Sequence, residues 1–505
     1  MRQPRNTPDT IPFNKPIMTR TQMRLPASLF ALTAVGLVLG GCAVGPDYKR
    51  PAALPNGAAT PTAFKEADGW KQAEPSDAVS RQDWWKAFND PVLDELEAKV
   101  LVSNQNLAQS EAAYRQAKAL LDQQRASLFP TINLTGSDIY SKSPIGFTST
   151  SGALSAGARP SDTFSTRLGL TWDLDLWGRI RRTIEAAKAT AQASAGDLAN
   201  ATLSAQTLLA ADYFQLREAD EEKRLIDQTV KGYADNLRIA QNRYTVGVGA
   251  RSDVLTAQTQ LTSAQAQAVD LVRTRAQLEH AIAVLIGAAP ADLTLQVAEW
   301  KPVVPAVPVS MPSALLERRP DIAAAERRVQ AANAQIGVQT AGYFPDLAVS
   351  GQYGFTSTVL QRLFNTASNS WSIGATATQT VLDWGSTRAK VRQSRAAYDS
   401  AVAAYRQTVL TAFGQVEDNI AALRVLEIEY NLDADASKNA DEAEKITNNQ
   451  YQAGQVDYTT VVVAQNTALA ARRTTLQAAR TRLVAMVDLV QALGGGWSAT
   501  QLAQK

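Results

Sequence analysis

Few residues in this chain could do chemistry. Cys42 is the only cysteine and His280 the only histidine. A single thiol excludes an intramolecular disulfide. Cys42 follows Leu39-Gly40-Gly41 at the end of the apolar run Leu29 to Leu39, and Arg24 stands ahead of that run. A basic start, a short apolar stretch and small residues before the cut make a signal peptide, too short for a transmembrane helix. Small residues directly before a cysteine fit the lipobox pattern, in which the thiol is acylated after cleavage. The alternative is an ordinary secretory peptide with an incidental cysteine. A multiply acylated terminus anchors stably, because each buried CH₂ contributes about 0.8 kcal/mol. His280 lies inside a helical pattern with no second histidine or free cysteine for a metal site, and it supports no Ser-His-Asp set. Gly247-Val248-Gly249 has part of a dinucleotide loop, but it follows a helix and Ser252 stands where the third glycine belongs. No metal and no cofactor beyond a lipid on Cys42 is expected.

Gly247 lies in a segment that occurs twice. The first copy opens at Trp177-Gly178-Arg179, turns at Tyr244-Thr245-Val246-Gly247, passes Ala257-Gln258 and ends at Ile286-Gly287. Adding 207 gives Trp384-Gly385, Tyr451-Gln452-Ala453-Gly454, Ala464-Gln465 and Leu493-Gly494. One large unit is therefore duplicated. Each copy reads as a long helical hairpin rich in Ala, Leu, Gln, Glu and Arg, which are good helix formers. Proline is absent from 161–289 and from everything after Pro345. Gly247 and Gly454 supply the left-handed residue that a helix end needs. The first arm, Gly178 to Val246, would reach roughly 100 Å at 1.5 Å per residue, which implies coiled-coil-like assembly.

Fifty basic and 48 acidic residues nearly cancel in this chain of 505, so nothing points to a nucleic-acid partner. No apolar run is long enough for a membrane-spanning helix. A membrane crossing would have to use strands. Residues 1–41 read as an N-terminal extension and signal peptide, with Met18 or Met23 as the start. Residues 42–90 read as an acylated, proline-containing extended tether. Asp90-Pro91 then starts a helix running to Leu128. Four segments alternate apolar and polar residues, around Ile132, Leu134; Leu168, Leu170, Trp172; Leu347, Val349, Tyr353; and Trp371, Ile373. Such strands suit an outer-membrane barrel, or else a half-buried sheet on a soluble core. Four strands cannot close a barrel, so a spanning sheet would need several chains. The first repeat covers 91–289, a proline-rich crossover 290–319, the second repeat 320–494 and a tail 495–505. A second short helix runs from Pro320 to Tyr343. End to end, each short helix and return arm (Asp253 to Ile286, Asp457 to Leu493) would roughly match its long arm, giving a wall of even height.

Several motifs resemble those of the TolC-like outer-membrane factors, and more closely the lipoprotein (NodT/OprM-like) branch serving resistance-nodulation-division (RND) efflux pumps. They are Cys42-Ala43-Val44-Gly45-Pro46-Asp47-Tyr48-Lys49-Arg50-Pro51, Trp84-Trp85 with Asp90-Pro91, Asp175-Leu176-Trp177-Gly178-Arg179, Glu317-Arg318-Arg319-Pro320-Asp321-Ile322 with Ala325-Glu326, and Ala492-Leu493-Gly494-Gly495-Gly496-Trp497. The resemblance implies an α+β membrane protein. A homotrimer would share a twelve-stranded transmembrane β-barrel, four strands from each chain, above a long α-helical barrel in the periplasm. It implies a passive duct for small molecules such as drugs, with a periplasmic membrane-fusion adaptor and an inner-membrane RND pump as partners. Ala43 after the cysteine implies sorting to the outer membrane.

The tips carry the candidate sites. Val246, Gly247, Val248, Gly249, Ala250 and Arg251 form one; Ala453, Gly454, Gln455 and Val456 form the other. The resemblance makes them the adaptor-docking end, whereas the bland alternative is a plain turn. It also places Asp253 and Tyr451 in a periplasmic gate, while Val456 stands where the family carries a basic residue. Asp457 would add a ring of three carboxylates in a trimer. Asp253 and Asp457 are alternatively helix N-caps. Other readings are a duct for ABC-type protein or peptide secretion, and a non-conducting envelope lipoprotein, which would need no amphipathic strands. No catalytic set supports an enzyme. Cys42→Ser is expected to abolish acylation; metabolically labelled lipid still found on that variant would refute the lipobox.

Overall fold

The computed structural model describes residues 43–67, 81–142, 160–305 and 318–495. Cys42, the signal peptide and residues 496–505 of the tail lie outside them. After short 3₁₀ turns over Arg81–Phe88 come α1 (Pro91–Ser103), α2 (Gln105–Ala126), β1 (Thr131–Ser141), β2 (Ser161–Leu174), α3 (Arg179–Thr245) and α4 (Arg251–Leu285). The second half gives α5 (Pro320–Ala341), β3 (Asp346–Ser357), β4 (Asn369–Thr378), α6 (Ser386–Gln452) and α7 (Tyr458–Ala492).

The helices of the two halves match in length. Helices α3 and α6 each have 67 residues, and α4 and α7 each have 35. Their bounds differ by 207 throughout. Helices α2 and α5 each have 22 residues, offset by 215.

The single helix expected from Pro91 to Leu128 is instead two. Asn104, in extended conformation, ends α1 and caps α2 by accepting from the Leu107 amide. The Asn104 amide group also donates to the Leu285 carbonyl at 2.7 Å. That contact seats the end of α4 against the α1–α2 junction, so α2 and not α1 continues the line of α4. In the second half Arg319 reaches the Ala492 carbonyl at 3.2 Å, which joins α7 to α5 in the same way. The end-to-end stacking is thus present, but α1 lies outside it and has no counterpart among the described residues.

The sheet is antiparallel in the order β1-β2-β3-β4. Its middle register sets Leu168 opposite Tyr353 and Trp172 opposite Val349. Ile132, Leu134, Trp371 and Ile373 are all more than half exposed, because no second layer of described residues covers the sheet. No helix among the described residues is long and apolar enough to cross a membrane.

Three buried clusters follow one another down the long helices. Ile322, Val329, Tyr405 and Val409 pack nearest the sheet. The largest cluster sits at mid-height, where Trp84, Trp85, Phe88, Leu93, Tyr213, Phe214, Ile420 and Leu489 meet. The third lies at the tips. The crossover is tied to the mid-height cluster: Arg217 donates to the Gln296 carbonyl, and Arg217 and Arg275 flank the buried Asp220.

Residues 43–67 have little regular structure beyond a 3₁₀ turn at Pro55–Gly57, and they are strapped to the helices. The Val44 amide donates to the Trp177 carbonyl, Arg182 pairs with Asp47 at 2.8 Å, and the Tyr48 hydroxyl donates to Glu326 at 3.0 Å. Further along, the amides of Lys65 and Glu66 donate to Glu417. A Cβ at Gly45 would lie 2.4 Å from the Gly337 Cα, so only glycine lets the strap lie this close to α5.

Glu97 on α1 is fully buried, and neither carboxyl oxygen meets a donor among the described residues. Burial, with the nearby Asp94 as a smaller cause, pushes its pKa up to about 9 from 4.5. A folded pKa above the unfolded one means the folded state takes up a proton. The stability gained is complete below about pH 4.5 and is lost as pH rises towards 9. Each pH unit in that window is worth at most about 1.4 kcal/mol. Glu97→Gln should therefore gain on the wild type in melting temperature, followed by circular dichroism, progressively from pH 5 to pH 8. A difference that does not vary with pH would refute the neutral carboxyl.

Candidate functional site at the helical tips

Both tips end in the same helix-terminating turn. Gly247 and Gly454 have φ of +81° and +76°. The Val248 and Gly249 amides donate to the Arg243 carbonyl at 3.0 Å, and the Gln455 amide donates to the Gln450 carbonyl at 2.8 Å. This satisfies carbonyls that a helix end otherwise leaves free. Val246, Val248, Ala250 and Arg251 are exposed on the first tip, and Ala453, Gly454 and Gln455 on the second. Gly249 is not open: a Cβ there would lie 3.0 Å from the Arg243 Cβ.

Behind the tips is an aromatic cluster. Tyr451 and Tyr458 are 2% and 1% exposed, with ring centroids 5.4 Å apart. Tyr233, Leu237, Ala240, Ala257, Leu261, Ala264 and Val461 complete the cluster, so it draws on all four hairpin arms. Val456 does not stand free at a lock position; it is half-buried and packs on this cluster. Burial raises the Tyr451 pKa; the Arg243 charge opposes the shift and Asp253 adds to it. Tyr458 is pushed up to about 12, chiefly by burial and then by Tyr451, Tyr233 and Asp253.

The two acidic residues differ. Asp457 is an N-cap: it accepts from the Thr460 amide at 2.9 Å and from its hydroxyl at 2.8 Å, and these bonds hold its pKa below the usual carboxylate value. Asp253 is not a cap, because α4 begins earlier, at Arg251 after Ala250. It sits in the first turn, where a negative charge suits the helix dipole. Asp253 is close enough to Tyr451 to act on its titration, yet the two share no hydrogen bond within one chain.

Sequence reasoning missed Arg243. Its guanidinium donates to the Tyr451 carbonyl at 2.7 Å and stacks 4.7 Å from the Tyr451 ring centroid. A cation on the last carbonyls of a helix is well placed. Of the described hydrogen bonds between the two hairpins, this one lies nearest the tips. The available signal was the repeat itself, since Arg243 stands where the second copy has Gln450. His280 is exposed on α4, and no group of three potential metal ligands occurs among the described residues.

The family model for outer membrane efflux proteins matches residues 96–288 and 311–495. The chain belongs to the outer membrane efflux protein family. This efflux protein is 30% identical over 486 residues to outer membrane protein OprJ of Pseudomonas aeruginosa, covering 94% of this chain and 97% of that one. It is 29% identical over 473 residues to the toluene efflux pump outer membrane protein TtgC of Pseudomonas putida, covering 93% and 96%. Among solved structures, the outer-membrane channel OprN superposes with a TM-score of 0.82 at 29% identity, covering 90% of this chain and all of that one. The efflux protein accordingly resides in the outer membrane.

Proposed function

We propose that the chain is the passive exit duct of a tripartite RND-type efflux system, acylated at Cys42 and assembled as a homotrimer. The observation that carries this reading is the pairing of an uncovered four-stranded amphipathic sheet with two 67-residue helices. A sheet with free edges is not viable in hydrocarbon. Three copies would supply twelve strands and close it. The repeated hairpins, a product of duplication, would then form the wall of a tunnel continuous with the barrel. Small molecules would pass from a periplasmic adaptor and an inner-membrane pump to the exterior. The cargo does not follow from the duct, although TtgC is named for toluene.

On this reading the tips are the periplasmic entrance. Asp253 and Asp457, each repeated three times about an axis, would line the constriction, with the buried Tyr451 bracing the gate from behind. Glycine and alanine there leave room for an adaptor's own helical hairpin.

The decisive test is crosslinking in cells from a photoreactive residue at Val248, whose side chain is 67% exposed, whereas a side chain at Gly249 would crowd Arg243. Capture of an adaptor encoded beside an RND pump is the expected result; capture of an ABC-type adaptor would move the protein to secretion. The gate has its own test in planar bilayers. Asp253→Ala with Asp457→Ala should raise single-channel conductance, and an unchanged conductance would remove both residues from the gate.

A further inference from the structure

The internal repeat supplies a ruler for contacts that a single chain cannot make. Moving 207 residues along carries β2 onto β4, and moving 215 carries β1 onto β3. The ruler can be checked against contacts present in both halves. Thr131 pairs with Thr171 between β1 and β2; the shifted positions are Asp346 and Thr378, which pair between β3 and β4. The Trp172 indole donates to the Leu128 carbonyl at 3.0 Å; the shifted positions are Gln379 and Tyr343, and Gln379 donates to the Tyr343 carbonyl at 3.3 Å. Strand register and strand-to-helix contacts thus both obey the same two offsets.

One set of contacts occurs only once. Between the halves, β2 pairs with β3, with Gly169 opposite Gln352. At the foot of that seam the Trp177 ring stacks on Phe344 at 4.7 Å, and its indole donates to the Pro345 carbonyl at 2.9 Å. Helix α3 has a 22-residue helix on each side, α2 and α5, while α6 has α5 alone. The residues that would make the second seam are present but bare. Trp384 is 90% exposed and Phe129 70% exposed, and β4 and β1 are the free edges of the sheet.

We propose that a second copy of this chain completes the seam in one defined register. Shifting Gly169 and Gln352 by the two offsets sets Thr376 of β4 opposite Ser137 of the neighbour's β1, and Gly374 opposite Ile139. Trp384 then stacks on the neighbour's Phe129 as Trp177 does on Phe344, with its indole on the Pro130 carbonyl. The register has an independent merit. It puts Ile132 and Leu134 on the same sheet face as Trp371, Ile373, Ala375 and Ala377, so the apolar face runs unbroken across the seam. A slip of one residue would turn Ile132 and Leu134 to the other face. The exposed Trp384 is thus read as half of an intermolecular joint, whose other half is Phe129. The inference rests on the trimeric reading above and adds the residues that hold it.

Directly opposed residues on paired strands have Cβ atoms about 5 Å apart, within reach of a disulfide after small adjustment. The full chain carrying Thr376→Cys and Ser137→Cys, oxidised in outer membranes, should give a covalent three-chain species on denaturing gels. Thr376→Cys with Ile139→Cys, two residues out of register, should not, and the single variants control for Cys42. Bonding in the shifted pair, or in neither pair while the wild type runs as a trimer in detergent, overturns the register. A monomeric wild type overturns the trimeric reading itself. For the joint, Trp384→Ala should lower the temperature at which the trimer dissociates. Trp384→Phe, which keeps the ring and loses the indole donor, should lower it less, and Phe129→Ala added to Trp384→Ala should cause no further drop. An unchanged dissociation temperature in Trp384→Ala, or a full additional loss in the double variant, refutes the stacking.

Discussion

The two unpaired edges of the four-stranded sheet govern everything else in this molecule. Backbone amides and carbonyls left open in hydrocarbon cost several kcal/mol each. Among the described residues, neither β1 nor β4 has a neighbour on its outer side. In an outer membrane protein those edges must be joined to other strands, and the repeat supplies the pattern for the join. The proposed closure would place the strand ends in a ring and so fix where each 67-residue helix starts. The long helices need no strong apolar face of their own, since small residues and end-to-end stacking keep them in register with their neighbours.

Mid-height is where the parts are fastened. The end of α4 meets Asn104, the end of α7 meets Arg319, and the crossover reaches Arg217 and Arg275. The same level holds the largest apolar cluster and the buried Glu97, whose pKa burial pushes up. The strap of residues 43–67 runs from the strand–helix junction at Trp177 down to this level. Below mid-height the hairpins are joined by ion pairs such as Arg473 with Glu222, and finally by Arg243 and the tyrosines at the tips. The end that is proposed to open thus has only light cross-hairpin fastening.

Much of this was legible in the residues. The offset of 207 gave both hairpins and both turns, because glycine is strongly favoured where a helix ends left-handed. Alternation gave all four strands, because a strand turns successive side chains to opposite faces. The break at Asn104 was not legible. Apolar periodicity continues through it, and the stop depends on a carbonyl of α4 far away in sequence. Asp253 and Asp457 look alike as caps, yet only Asp457 is one, since the turn at Ala250 starts α4 two residues before Asp253.

The sequence by itself determined the repeat, the helical hairpins, the amphipathic strands and the absence of an apolar spanning helix. These follow from local spacing and from the conformational limits of glycine and proline, which act over a few residues. Only the tertiary structure decided which ends abut, which tryptophan is covered and which is left bare, and which cation reaches the second tip. Arg243 and Tyr451 are separated by 208 residues in the chain and by one hydrogen bond in space. No local pattern encodes such a contact, because it exists only after two helices of equal length have been laid side by side.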